Sequence, residues 1–379
     1  MEMVKFEEYP FQKLARLLEG VTSPSEIWDF TIGEPQFPTP EPILEEVASH
    51  LPLLNRYPKS RGEGELIEAQ REFIYRRFRN PVTGEGIEIS REEIIPTFGT
   101  REVLFNFPLF LRPRKVAFPN PFYQIYEGAA KVAGAEINYL SLTPENGFKP
   151  TLSQLDGDEE LIILNSPNNP TGSVMELEEL AEWVEYALSR GAVLVGDECY
   201  SELYRETPPP SLLEACKLVG NDRFKNVVVV NSLSKRNSAP GLRSGFIAGD
   251  RELIQSYLRF RSYVGCAIPL PLQKGAVAGW RDWESAEKFR SIYRRNLEVA
   301  EEILGVEAPS ATFYLWLKVG DDLEFTREAY RAGVKVLPGS FMGREGAGQG
   351  FVRVALVYPP EQLEKGLEIL KKVWNGWKQ

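Results

Sequence analysis

Lys235 closes the segment Asn231-Ser232-Leu233-Ser234-Lys235, directly after the β-branched run Val227–Val230, and Arg243 follows shortly after. A strand-end amine beside hydroxyls and a second cation is poorly explained by structure alone. Burial and the nearby guanidinium both favour the neutral, nucleophilic form of the amine. Such a group can hold an aldehyde covalently, while Ser232 and Arg243 offer a hydroxyl and a cation to a phosphate. Taken alone, Lys235 reads equally well as an exposed lysine after a strand, because burial and neighbours decide reactivity.

Two further apolar runs end in polar clusters. Leu161–Leu164 leads into Asn165-Ser166-Pro167-Asn168-Asn169-Pro170-Thr171-Gly172, and Ala192–Val195 leads into Gly196-Asp197-Glu198-Cys199-Tyr200. Between them Leu177, Leu180, Val184 and Leu188 recur at helical spacing, with Gly191 as a stop. The pattern predicts a strand–helix–strand unit, hence parallel strands joined by a right-handed crossover and covered on both faces. Ligands of such sheets collect beyond the carboxyl ends of the strands. Three ends present Asn169, then Asp197 with Tyr200, then Ser232 with Lys235. A carboxylate can keep a pyridine nitrogen protonated, Asn169 and Tyr200 can meet a ring oxygen, and Ser232 with Arg243 can meet a phosphate. That is the inventory pyridoxal 5′-phosphate requires. Singly, Asn-Asn-Pro-Thr-Gly is an ordinary turn, and Asp197 could cap a helix. One carboxylate without a nearby histidine provides poorly for a transition metal, so no metal site is expected.

From Ile32-Gly33-Glu34-Pro35 to Arg353 the chain resembles the fold-type I pyridoxal-phosphate aminotransferases of class I/II. The resemblance implies an α/β fold: a large domain whose mostly parallel seven-stranded sheet is sandwiched by helices, plus a smaller α/β domain. It implies a cofactor-binding domain over 42–270, and a small discontinuous domain made of 1–41, including an N-terminal arm, with 271–379. Lys235 is then the Schiff-base lysine, Asp197 the partner of the ring nitrogen, and Asn169 and Tyr200 the holders of the ring oxygen. Ser232 and Arg243 meet the phosphate, and the turn Gly99-Thr100-Arg101 cradles it at a helix N-terminus, where free amides and the dipole favour an anion. Tyr123 stacks on the ring, Arg353 clamps the substrate α-carboxylate, and Gly33 and Asn169 lie against it. Tyr57 reaches the phosphate of a neighbouring subunit, which implies a homodimer. Singly, Thr100 reads as a helix cap and Tyr123 as a core aromatic.

Three stretches resemble the bacterial N-succinyldiaminopimelate aminotransferases more closely: Tyr9–Leu14, Asn120–Ala130 and Ser232–Asp250. This implies small-molecule amino-acid and 2-oxo-acid substrates, with N-succinyl-LL-2,6-diaminopimelate as donor in lysine and diaminopimelate biosynthesis, and 2-oxoglutarate or glutamate completing the cycle. Lys59, Arg61 and Arg101 are candidates for its distal carboxylates, although surface ion pairs would explain each. An aspartate or aromatic aminotransferase would share the same core residues, and a fold-type I lyase would share the cofactor.

The rest of the chain bounds these readings. At 379 residues with 43% hydrophobic and 26% charged content, it is long enough for more than one domain. A formal net charge of −10 argues against a nucleic-acid partner. Met1–Glu8 lacks an apolar targeting core, and no 18-residue apolar run suggests a membrane span. The three cysteines, Cys199, Cys216 and Cys266, are widely spaced and suit a reducing cytoplasm. The single histidine, His50, sits at a predicted helix end before Pro52, which removes histidine-based triads. No Gly-x-x-x-x-Gly-Lys-Ser/Thr loop occurs. Pro269-Leu270-Pro271 is expected to mark the passage between domains, and Leu363, Leu367, Leu370 and Trp374 predict a late amphipathic helix.

Overall fold

The structure, a computed structural model, describes residues 3–377; the outermost residues of the small domain expected from the sequence lie outside them. Its strands, in chain order, are β1 (Trp28–Asp29), β2 (Ile94–Phe98), β3 (Lys115–Asn120), β4 (Glu136–Ser141), β5 (Leu161–Asn165), β6 (Val193–Asp197), β7 (Val227–Ser232), β8 (Ser244–Gly249), β9 (Tyr314–Lys318), β10 (Val334–Lys335), β11 (Leu337–Pro338) and β12 (Phe351–Ala355).

Seven of them form one sheet in the order β2-β8-β7-β6-β5-β3-β4. Every neighbouring pair is parallel except those of β8, which runs antiparallel to both β2 and β7. β5 and β7 are buried along their whole length, as continuous apolar runs covered on both faces must be. The two-residue period sorts their side chains into two cores. Ile162, Leu164, Val227 and Val229 face a layer built by helices 64–77, 177–190 and 270–281. Leu161, Ile163, Val228 and Val230 face helices 100–111, 125–133 and 251–264.

The helix read from Leu177 to Leu188 spans Leu177–Arg190. The Glu176 amide donates to the Glu179 carboxylate at 2.7 Å at its start, and Gly191 ends it at φ +71°. β5 and β6 are thereby joined in parallel, as the sequence predicts. His50 caps helix Glu41–Ser49, with its Nδ1 at 2.8 Å from the Glu46 carbonyl.

A second core forms around the antiparallel sheet β11-β12-β9 and helix 360–377, which buries Leu363, Leu367, Leu370 and Trp374. The N-terminal segment joins it: β1 pairs with β10, and Phe30 is fully buried there. The chain crosses between the two cores after the Pro269-Leu270-Pro271 segment that the sequence marks as the passage. Helix Leu270–Arg281 places Ala276, Val277 and Trp280 in the large core. The 22-residue helix Trp283–Leu304 then carries the chain across, with Trp283 against the first core and Leu297, Ala300 and Leu304 in the second. Pro269 and Pro271 stand at the N-cap and the second position of helix Leu270–Arg281, where the first amides have no partner within the helix to lose. We place the boundary along helix 283–304. Among the described residues no helix is long and apolar enough to cross a membrane.

Candidate active site

The sheet register sets the site. Asn165 pairs with Asp197 across β5 and β6, Ser232 pairs with Gly245 across β7 and β8, and Phe98 pairs with Ser244 across β2 and β8. One edge of the sheet thus gathers the carboxyl ends of six strands that run the same way, beside the reversal of strand order between β3 and β5.

Lys235 stands on a one-turn helix, Leu233–Arg236, that begins where β7 stops. Ser232 caps it, its Oγ accepting from the Ser234 amide at 3.0 Å. Lys235 faces the cavity and its Nζ donates to the Gly33 carbonyl. The next residue, Arg236, points the opposite way and is 1% exposed. Its guanidinium lies over the Phe73 and Trp283 rings and donates to the Gly279 carbonyl at 2.8 Å. This buried anchor fixes the turn that carries the lysine. Desolvation, aided by the charges of Arg353 and Arg243, lowers the Lys235 pKa from 10.5 to about 8.

Asp197 is 4% exposed. The Tyr126 hydroxyl donates to its Oδ2 at 2.5 Å and the Cys199 amide to its Oδ1 at 3.3 Å. Burial raises its pKa, and these bonds oppose the rise. Asn165 ties the two loops together: its Nδ2 donates to the Asp197 carbonyl at 2.9 Å, and its Oδ1 accepts from the Asn169 amide at 2.8 Å. Asn169 in turn accepts from Arg353 Nη1 at 2.7 Å, while Arg353 Nη2 donates to the Thr31 carbonyl at 2.6 Å. Tyr200 shares a 2.9 Å hydrogen bond with the Tyr314 hydroxyl.

At the other end Gly99, at φ +72° and ψ +170°, turns β2 into helix Thr100–Leu111. A Cβ there would lie 2.3 Å from the Arg243 guanidinium, so only glycine admits it. Arg243 donates to the Pro240 carbonyl at 2.8 Å. Arg101 Nε donates to the Tyr123 hydroxyl at 2.7 Å, and Thr100 Oγ1 accepts from the Cys199 thiol at 3.1 Å. Glu102, the remaining acid in the cavity wall, is held by Arg261 at 2.7 Å.

These groups enclose a cavity of about 840 Å³. It is lined by Gly33, Thr100, Arg101, Tyr123, Asn169, Asp197, Tyr200, Ser232, Lys235, Arg243 and Arg353, all expected from the sequence, with Gly99 immediately behind Arg243. Three expected residues lie elsewhere. Tyr57 is fully exposed, Lys59 pairs with Glu63 at 3.2 Å, and Arg61 meets Gln255 and the Arg91 carbonyl. None of them lines the cavity of its own chain. Sequence reasoning missed Tyr126, Tyr314, Asn165 and Cys199. Tyr126 was within reach, one helical turn beyond Tyr123; Tyr314 carried no local signal.

The residues fit pyridoxal phosphate. Asp197 is a buried carboxylate with hydrogen-bond donors but no cation, so a protonated ring nitrogen would relieve its desolvation. Arg353 Nε is buried with no hydrogen-bond partner among the described residues, which leaves an unspent donor for an anion. The first turn of helix 100–111, which opens directly after Gly99, offers its amides beside Arg243, a setting for a phosphate.

Comparison with known proteins agrees. Residues 25–370 match the family described as aminotransferase class I and II. An LL-diaminopimelate aminotransferase of Dehalococcoides mccartyi is 32% identical over 384 residues, covering 95% of this chain and 94% of that protein. The 4-dedimethylamino-4-oxo-anhydrotetracycline transaminase OxyQ of Streptomyces rimosus is 31% identical, covering 95% and 98%. The crystal structure of aminotransferase AspB from Helicobacter pylori superposes with a TM-score of 0.93 at 48% identity, covering 98% of this chain and 99% of that one.

Proposed function

The chain belongs to the class I and II aminotransferases, which depend on pyridoxal phosphate, and we propose that its amino donor carries a distal carboxylate, with N-succinyl-LL-2,6-diaminopimelate the donor and 2-oxoglutarate the acceptor. The observation that carries this reading is Arg101. Arg243 is committed to the phosphate end and Arg353 to the α-carboxylate. Arg101 also faces the cavity, and among the described residues no carboxylate pairs with it. Its backbone serves the phosphate turn while its guanidinium is left for a third anion. The LL-diaminopimelate aminotransferases among the relatives support a donor of that chemistry. Aspartate is the second reading, because the same guanidinium would serve a shorter dicarboxylate.

Bound pyridoxal phosphate supplies an aldehyde carbon and a ring that accepts electrons. Lys235 Nζ, its pKa lowered to about 8, takes the proton from the donor's α-carbon and returns it on the other side of the transfer. Asp197 holds the proton on the ring nitrogen, and Tyr200 and Asn169 hold the ring oxygen. Arg353 and the Gly33 backbone orient the α-carboxylate. The partner's Tyr57 reaches the phosphate in a homodimer; full exposure of that side chain in the single chain supports this. Three unpaired cysteines support a cytoplasmic enzyme.

The test is a half-reaction screen with N-succinyl-LL-2,6-diaminopimelate, LL-2,6-diaminopimelate, aspartate, glutamate and tyrosine, read by the absorbance of the bound cofactor. Donors with a distal carboxylate should react fastest, and Arg101→Gln should raise KM for them while sparing tyrosine. Equal loss for all donors would overturn the assignment of Arg101. Stoichiometric transfer to 2-oxoglutarate separates the reading from a lyase.

A further inference from the structure

Three contacts converge on Tyr314, a residue of β9 that is 2% exposed yet reaches the cavity wall. Its hydroxyl lies 2.9 Å from the Tyr200 hydroxyl. Its ring lies under the Arg353 guanidinium, 4.4 Å from centroid to Cζ. Its hydroxyl also occupies the space above Gly33, where a Cβ would come within 1.9 Å of it. The same Gly33 carbonyl accepts from Lys235.

We propose that Tyr314 is a positioning residue for two groups at once: its hydroxyl aims the Tyr200 proton at the cofactor's ring oxygen, and its ring fixes the plane of Arg353 for the substrate α-carboxylate. This rests on the function proposed above. A phenol has one proton to donate. Among the described residues the Tyr200 hydroxyl has only Tyr314 as a hydrogen-bond partner. For Tyr200 to donate into the cavity, the shared bond must run from the Tyr314 O–H to Tyr200 Oη. Accepting that bond makes Tyr200 a stronger donor, because hydrogen bonds in a chain polarise one another. Arg353 and Cys199 are the other titratable groups beside Tyr200, and the Arg353 guanidinium lies over the Tyr314 ring. The arginine's two terminal nitrogens are fixed by Asn169 and Thr31. The aromatic face supplies the third restraint and leaves Nε unspent.

Tyr314→Phe and Tyr314→Leu in the full-length, cofactor-loaded enzyme separate the two roles. A weaker Tyr200 donor leaves more negative charge on the ring oxygen, which holds the neighbouring proton more tightly. The pH midpoint of the visible band should therefore rise by about 0.5–1 unit in both variants, the size of one lost buried hydrogen bond. Binding of maleate, a dicarboxylate with no amino group to transfer, followed by spectral titration, should stay within about 2-fold for Phe, which keeps the aromatic face, and weaken by about 3- to 10-fold for Leu. An unmoved midpoint in Tyr314→Phe overturns the hydroxyl role, even if the melting temperature falls. Equal maleate binding by Phe and Leu overturns the ring role. If the unsubstituted protein fails to bind pyridoxal phosphate or to transfer an amino group, the proposed function fails first; if it does both while the midpoint stays fixed, only the Tyr314 inference fails.

Discussion

Gly99→Ala tests the phosphate end of the site with two separable effects. The backbone at φ +72° and ψ +170° lies in a region that side chains essentially never adopt, so alanine costs about 1–3 kcal/mol of stability without any new contact. Its Cβ would also lie 2.3 Å from Arg243 Nη2 and 2.9 Å from Cζ. Arg243 is anchored to the Pro240 carbonyl at 2.8 Å, so its head group must swing away from the turn. Losing one charge-assisted hydrogen bond to a phosphate costs about 1.5–3 kcal/mol, or roughly 10- to 150-fold in cofactor affinity. Gly134→Ala is the control: φ is +76° there, with nothing within 4 Å of the added carbon. Titrating pyridoxal phosphate into both apo variants, alongside thermal unfolding, separates strain from lost binding. The control should lose stability alone. Gly99→Ala with unchanged cofactor affinity would refute the assignment of Arg243 and this turn to the phosphate.

Three further outcomes follow from the geometry. Lys235 has its pKa lowered to about 8, so between that value and 10.5 the unfolded chain holds a proton that the folded apo protein has released. Apo stability should therefore rise with pH across that window, by at most about 3 kcal/mol before solvent in the cavity is allowed for, and Lys235→Ala should abolish the rise in denaturant titrations. Tyr126→Phe removes the 2.5 Å bond that favours ionised Asp197, so the Asp197 pKa should rise further. Cofactor retention by that variant should fail at a higher pH on acidification, which equilibrium dialysis would detect; an unmoved acid limb would contradict the role given to Asp197. Tyr57→Phe should leave the melting temperature nearly unchanged, since exposed substitutions away from contacts stay within about 0.5 kcal/mol, yet it should weaken cofactor binding if the partner's hydroxyl reaches the phosphate.

Much of the site was legible because its chemistry sits at strand ends, where a buried apolar run gives way abruptly to polar residues. Asn169, Asp197, Tyr200, Ser232 and Lys235 all announce themselves in this way, and the sheet register then gathers them. Relations between distant segments were not legible. Tyr314 meets Arg353 across the antiparallel pair of β9 and β12, and meets Tyr200 only because that sheet packs against the loop after β6; no local pattern distinguishes Tyr314 from a core aromatic. Arg236 follows Lys235 directly, yet the one-turn helix sends the two side chains in opposite directions, which no local pattern announces. The local role of the proline cluster at 269–271 was not legible either. Proline both interrupts chains and begins helices, and the burial of Trp280 beneath the sheet decided which applied. Lys59 and Arg61 were candidates by position alone, whereas in the fold neither lines the cavity of its own chain and each has a partner elsewhere.

The central claim is that the Lys235 amine carries the cofactor. Loading the protein with pyridoxal phosphate, reducing it with borohydride and mapping the tryptic peptides by mass spectrometry tests this directly. The account predicts one pyridoxyl-phosphate adduct per chain, on Lys235, and none in Lys235→Ala. An adduct concentrated on another lysine, or an unmodified Lys235 in protein that still turns over, would contradict it.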